Sequence, residues 1–333
     1  MYYFEISKSI IIIIYFERTI FAAVTARCDS QFWIRTNTSG GSIRITNNWN
    51  SKLLRKRSML DESLQLGCDY IAANQKEDTG NFNYQYYFVK RKMDQDDSPV
   101  RQAGFLWGMT LCFQSQPNNG LYRASVEKGF AFFQDHVIDG PVPGSRMIEY
   151  PSFDESQSGV NALYGLALID YLRTIRDNPF LEADDSIEAA RISIRDLEDQ
   201  LAMTIRFLKY MQNSDLHFSE AYNFKDEEKS RLSSPYYDGE TLLCLVKAAK
   251  YMEDEYGDSL IPIIEEAAPV LAKSYTLDVW RGDTHDSDQT KGFYQWSGMG
   301  GLRILWRPCV DLGALDRAHA QDPGPEPEHR IRL

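Results

Sequence analysis

Long apolar blocks alternate along this chain with short stretches rich in Tyr, Phe and turn residues. The first block opens at Asp61, a capping residue. Its apolar positions Leu64, Cys68, Tyr70 and Ile71 predict a helix to about residue 75. Residues 80 to 89 are dense in Tyr and Phe and partly alternating, which predicts a strand or short hairpin. Asp96-Asp97-Ser98-Pro99 then places capping residues just before a proline. The helix it opens, to about residue 114, is apolar nearly all round (Ala103, Leu106, Trp107, Met109, Leu111) and is expected in the interior.

The alternation continues. Helices are expected over 121 to 137, closed by Pro and Gly at 140 to 144, and over 160 to 175. A long amphipathic helix is expected over 186 to 211, and a helix pair over 236 to 256 and 259 to 274. In the last of these, Pro262 falls in the first turn and Pro269 introduces a kink. Short strands are expected over 146 to 150 and 216 to 222. Residues 30 to 60 read as polar loop or loose extension, and Asp322 to Glu328 carries no hydrophobic pattern at all.

These blocks form a degenerate repeat. Ser98-Pro99 and Ser234-Pro235 lie 136 residues apart, and on that register Arg101 meets Tyr237, Gly104 meets Glu240 and Leu106 matches Leu242. Ser158-Gly-Val-Asn-Ala162 opens a third apolar helix in which Asn161 meets Arg101, and a fourth opening is expected near Gln295. Units that cannot bury their own faces stack on one another. With apolar helices inside and amphipathic ones outside, the expected fold is mainly α: an α/α toroid with short β-hairpins at one rim. An irregular helical solenoid is the alternative. The expected division is an N-terminal extension over 1–60, the toroid over 61–311 and a tail over 312–333.

Composition narrows the functions. The 333 residues carry a net charge of −12, which argues against a nucleic-acid backbone as partner. No CxxC or HExxH occurs among the 5 Cys and 5 His, so neither metal nor cofactor is expected. Cys68, Cys112 and Cys244 sit in apolar helical runs and read as buried free thiols. Asp283, Asp286 and Asp288 lack the Gly and distal Glu of a calcium loop and read as a solvated turn. The apolar run near Ile10–Ile14, followed by Ala-Val-Thr-Ala26, reads either as a secretory signal or as a buried strand or extension. Membrane association is expected only if that run is an anchor. The secretory pathway and the cytoplasm both remain open.

The chain resembles the six-hairpin, glycosidase-like (α/α)6 proteins, which include unsaturated uronyl hydrolases, sugar lyases and the catalytic region of glucuronyl C5-epimerases. The resemblance covers roughly residues 61 to 300. It rests on Gly-Asn-Phe-Asn-Tyr84, Val-Arg-Gln-Ala-Gly104, Ser-Pro-Tyr-Tyr-Asp-Gly-Glu240 and Gly-Phe-Tyr-Gln-Trp296. A complete ring of that kind has twelve helices and about seven are read here, so an incomplete toroid is expected.

The resemblance implies a carbohydrate substrate, uronate-containing by preference, and acid/base chemistry at the helix openings. Glu240 and Asp238 are the candidate carboxylates, with Asp97, Glu149 or Asp154 as a second; the dipole of a first helical turn favours such residues without any catalysis. Arg101 is suited to a uronate carboxylate or to an ion pair with Asp96 or Asp97. Tyr237 is a candidate for proton exchange. Tyr84, Tyr236, Asn161, Gln295 and Trp296 are candidates for substrate contact, with simple packing as the alternative. Two other functions stay open: a terpenoid-cyclase or prenyltransferase type toroid, for which Glu182-Ala-Asp-Asp185 is a poor acidic motif, and a non-catalytic scaffold.

Overall fold

The computed structural model describes residues 50–304 except 88, 90, 94, 95, 182–192 and 280–287. The apolar segment near residue 10, Cys28 and Cys309, the motif at 182–185, most of the acidic turn at 283–286 and the C-terminal tail therefore lie outside the described residues. Among those described are eight α-helices: α1 (Asn50–Ala73), α2 (Pro99–Ser115), α3 (Gly120–Gln134), α4 (Ser158–Asp177), α5 (Ile194–Tyr210), α6 (Pro235–Tyr251), α7 (Glu253–Lys273) and α8 (Asp288–Ile304). None is long and apolar enough to cross a membrane.

The helices sort into two layers, as the alternation of apolar and amphipathic blocks predicts. Helices α2, α4, α6 and α8 pack in succession, each against the next. Outside them α3 lies on α2, α5 on α4 and α7 on α6, while α1 packs against α2 and α3. Helix α4 is buried along nearly its whole length, from Ser158 to Ile175. Helix α5 is amphipathic, and its inward stripe is Leu197, Leu201, Thr204, Ile205 and Leu208. Among the described residues the result is an arc of an α/α toroid, with four inner helices, the first three backed by outer ones.

The inner helices are drawn together by more than apolar packing. Asp170 of α4, wholly buried, accepts a hydrogen bond from Trp107 Nε1 of α2 at 2.8 Å and pairs with Lys247 of α6. The Trp107 ring also meets Trp296 of α8, with centroids 5.8 Å apart. A buried ion pair of this kind specifies which helices meet more than it adds stability, since desolvation offsets much of the attraction.

Short antiparallel pairs precede the inner helices. Strand β1 (Tyr86–Tyr87) pairs with β2 (Lys92–Met93), and β3 (Val137–Asp139) with β4 (Arg146–Ile148). Strand β5 (Glu155–Gln157) pairs with β6 (Ala221–Asn223), which also pairs with β7 (Glu228–Lys229). In each of three units one buried side chain ties this segment to the next inner helix. Gln102 Oε1 accepts the Phe82 N–H at 2.7 Å, Asn161 Oδ1 the Ile148 N–H at 3.1 Å, and Asp238 Oδ1 the Phe218 N–H at 2.7 Å. Phe82 to Phe218 and Gln102 to Asp238 both span the 136 residues of the sequence repeat.

Several expectations are corrected. Cys68 and Cys112 are not free thiols; they form a disulfide that joins α1 to α2, while Cys244 is free and buried. Both partners lie in apolar runs, so their pairing is invisible until the two helices pack. Helix α1 begins by Asn50, inside the stretch read as loop, because Leu53, Leu54 and the Lys/Arg residues around them are good helix formers. Helix α3 ends at Gln134, and Val137 belongs to β3, whose pairing with β4 overrides the helical pattern. Helix α7 starts six residues earlier than expected, so Pro262 lies well inside it, and the helix continues through Pro269. Helix α8 opens at Asp288, so Gln295 sits mid-helix rather than at an opening.

Candidate active site

The starts of α2, α4 and α6 meet at one rim around a cavity of about 550 Å³. Helix α2 contributes Ser98, Pro99, Val100 and Arg101 to its wall, and α6 contributes Ser234, Tyr236, Tyr237 and Glu240. Gln157, the residue before α4, completes this rim, and Tyr84, Phe153, Asp97 and Glu220 reach it from the segments between helices. The proline after Ser98 and Ser234 sets the first turn of α2 and α6 and leaves no N–H there to satisfy.

Two of the outer helices carry side-chain caps, while α7 does not. The outer helix α3 is capped by Asn119, whose Oδ1 accepts from Leu121 and Tyr122, and α5 opens with a reciprocal Ser193–Asp196 capping box. The residues before the inner helices α2, α4 and α6 (Ser98, Gln157 and Ser234) make no side-chain cap bond. An acidic side chain nevertheless stands at two of these starts: Asp97 accepts the Ser98 N–H at α2, and Asp238 lies in the first turn of α6.

Glu240 is the electrostatic centre of the wall. It is 2% exposed, and its Oε2 has no hydrogen-bond partner among the described residues. Burial pushes its pKa well above the usual carboxylate range, which favours the protonated form. The side chain has room because residue 159 is a glycine: a Cβ there would run into both the Tyr237 ring and Glu240 Oε2.

The neighbouring tyrosines differ. Tyr237 donates its phenol proton to Gln157 Oε1 at 3.2 Å. Burial is the main cause that pushes its pKa up, and the Glu240, Glu220 and Glu155 carboxyl groups add to it where they are ionised, so it remains a phenol. Tyr236 is 43% exposed and rests on Gly292 of α8. Across the cavity Arg101 Nη1 hydrogen-bonds the Tyr84 oxygen, and its guanidinium carbon lies 4.8 Å from the centre of that ring.

Five of the nine candidate residues thus share one cavity: Tyr84, Arg101, Tyr236, Tyr237 and Glu240. The other four lie elsewhere. Asp238 is wholly buried, with its oxygens taken by the Phe218 N–H, by Tyr275 OH at 2.7 Å and by His217 Nδ1 at 2.6 Å. The hydrogen bond to Asp238 raises the His217 pKa, and partial burial opposes the rise. Asn161 is also wholly buried and spends its amide on Ile148, Ser156 and Gln157. Trp296 packs on Trp107 and against Gly239, and the half-buried Gln295 is off the cavity wall.

Of the second carboxylates considered, Asp97 lines the cavity but is held fast. It accepts from Tyr150 OH at 2.6 Å, Gln102 Nε2 at 2.7 Å, Ser98 N–H at 2.8 Å and Asn81 Nδ2 at 3.2 Å. Glu149 and Asp154 are exposed and away from the wall. Sequence reasoning missed Glu220, although the 136-residue register carries Tyr84 onto it.

No family model matches the chain. No curated relative matches it. Among solved structures it is similar to a family 76 glycoside hydrolase from a bovine Bacteroides thetaiotaomicron strain, at 10% identity and a TM-score of 0.40 over 53% of this chain and 35% of that one. It is similar to a family 76 glycoside hydrolase, a mannosidase, from Bacteroides thetaiotaomicron, at 11% identity and a TM-score of 0.41 over 62% of this chain and 55% of that one. An alpha-amylase from Clostridium perfringens aligns at 7% identity and a TM-score of 0.40, over 77% of this chain and 84% of that one. The chain spans about a third and about half of the length of the two family 76 enzymes.

Proposed function

We propose that this chain is a carbohydrate-active enzyme that cleaves a glycosidic bond beside a uronate residue, with Glu240 as the proton donor. One observation carries the reading: a buried carboxyl group whose Oε2 has no partner sits on the wall of a cavity large enough for sugar rings. Seven buried side-chain atoms lack a partner among the described residues, and Glu240 Oε2 is the one whose residue lines the cavity. A general acid gains a great deal, because burial keeps the proton in place at neutral pH until a leaving oxygen arrives.

The other wall residues fit an acidic sugar. Arg101 offers a fixed cation to the uronate carboxylate, oriented by Tyr84. The exposed face of Tyr236 is suited to stacking on a pyranose ring. Tyr237 keeps its proton, which suits it to hydrogen-bonding the substrate and not to removing a proton from a sugar carbon. Asp238 serves the backbone and lies behind the reacting groups.

The test is a panel of uronate-containing and neutral oligosaccharides, followed by new reducing ends and by the ultraviolet absorbance of unsaturated uronates. Cleavage confined to uronate-containing members is expected. Glu240→Gln should lower kcat by about 10² to 10⁴ with the fold intact, as loss of general acid catalysis does. Arg101→Ala should raise KM for uronate substrates and leave kcat nearly unchanged. Folded protein that cleaves no member, or a Glu240→Gln variant as active as the parent, overturns the reading.

A further inference from the structure

Glu220 lies on the same cavity wall as Glu240 and is far less buried. It stands at the repeat position of Tyr84, just ahead of β6. Its backbone is pinned on both sides: its N–H donates to the Leu232 carbonyl at 2.8 Å, and its own carbonyl accepts from Ser158 N–H at 2.9 Å and Ser158 Oγ at 3.2 Å. Its carboxylate makes no hydrogen bond or ion pair with any described residue, yet it is half-buried and faces the cavity. Asp97, the remaining carboxylate on this wall, has its oxygens occupied by four donors. Tyr237 lines the same wall as both carboxyl groups.

We infer that Glu220 is the catalytic base of this site, activating the water that attacks the anomeric carbon; the inference rests on the reading of Glu240 as the acid. A rigid backbone with an unengaged side chain is what a base needs: fixed in place, with lone pairs available. The balance is that of hydrolysis. Glu240 gives its proton to the departing glycosidic oxygen as the bond from that oxygen to the anomeric carbon breaks. Glu220 takes a proton from water as the water oxygen bonds to the same carbon. One water is consumed, and solvent returns the proton from Glu220 to Glu240.

The experiment compares wild type, Glu220→Gln, Glu220→Ala and Glu240→Gln on a natural uronate oligosaccharide and on an aryl uronide whose leaving group needs no acid. Folding of each variant is verified by thermal melting. Glu220→Gln should lose at least about 100-fold on both substrates, whereas Glu240→Gln should lose far less on the aryl uronide than on the oligosaccharide. Sodium azide should restore turnover to Glu220→Ala and yield a glycosyl azide, because the small anion attacks without needing deprotonation. A merely structural role for Glu220 would produce neither the rescue nor the azide product. If wild type hydrolyses the substrate, Glu240→Gln fails as expected and Glu220→Gln keeps wild-type rates, this inference falls and the assignment of Glu240 stands. If the product is an unsaturated uronate, the water-activating role falls. If wild type cleaves nothing, both fall together.

Discussion

Residues 82–104 and 218–240 are two copies of one structural unit with opposite chemistry. Each ties an aromatic backbone N–H (Phe82, Phe218) to a buried acceptor in the first turn of an inner helix (Gln102, Asp238). Around that shared tie the cavity-facing positions diverge. The first copy places Tyr84 and Arg101 on the wall, and the second places Glu220 and Tyr237 at the same register. Where the first has Gly104, the second has Glu240. The lesson is a separation of duties: the tie builds the rim, and the positions facing inward differ, with Arg101 beside Asp97 on one side and Glu220 and Glu240 on the other. Even the ties are unequal. Gln102 answers Phe82 with a neutral amide, whereas Asp238 brings a charge that gathers His217 and Tyr275 as well.

The inequality of the ties is open to the most forceful test. Asp238→Ala strands the Phe218 N–H, Tyr275 OH and His217 in a buried site and should cost about 3–5 kcal/mol. Gln102→Ala removes two bonds to the Phe82 backbone and one donated to Asp97 and should cost about 1–3 kcal/mol. Urea denaturation of the two variants measures the difference, and equal costs would erase the distinction between the ties. The His217 contribution has a definite sign: its folded pKa is raised, so its stabilisation is complete below the ordinary histidine value and is lost as pH rises through the raised one.

A smaller effect should follow at the contact between the copies. Gly159→Ala pushes a methyl into Tyr237 and Glu240, overpacking the wall at a cost of about 1–3 kcal/mol. It should lower kcat as well as stability, since it displaces the acid. A variant with unchanged melting and turnover would show that the wall yields freely.

The smallest effect distinguishes the acidic side from its repeat partner. Glu240 has a raised folded pKa, so the folded state holds a proton that the unfolded state releases, and stability falls as pH climbs from the ordinary carboxyl value toward the raised one. Glu240→Gln removes that cost. The variant should match wild type near pH 4 and melt higher at neutral pH, by roughly 2–4 °C for each kcal/mol recovered. A melting temperature at pH 7 equal to or below that of wild type would contradict a protonated Glu240.

The periodicity of the apolar blocks identified the inner helices, and the Ser-Pro openings at 98 and 234 located two of their three starts at the cavity. Residue pattern failed where a side chain has two uses. The sequence register pairs Asn161 with Arg101, but the helix starts shift it by one: Asn161, like Gln102 and Asp238, is the fourth residue of its helix and accepts a backbone N–H from the preceding segment. Asp238 and Glu240 sit two residues apart on one helix, about 200° around its axis. A single inward face therefore cannot serve both. Trp296 reads as a stacking platform until α8 is seen to begin at Asp288, which turns the ring toward Trp107.

What the sequence determined by itself was the order of the layers, because burial of an all-round apolar helix follows from composition whatever surrounds it. It also marked the repeat, since equal spacing needs no coordinates. The tertiary structure decided which residues meet. The Cys68–Cys112 bond, the buried charge of Asp170 between Trp107 and Lys247, and the shared cavity of Arg101, Glu220 and Glu240 join segments far apart in the chain. Their proximity is set by how the helices pack, and no local pattern encodes it.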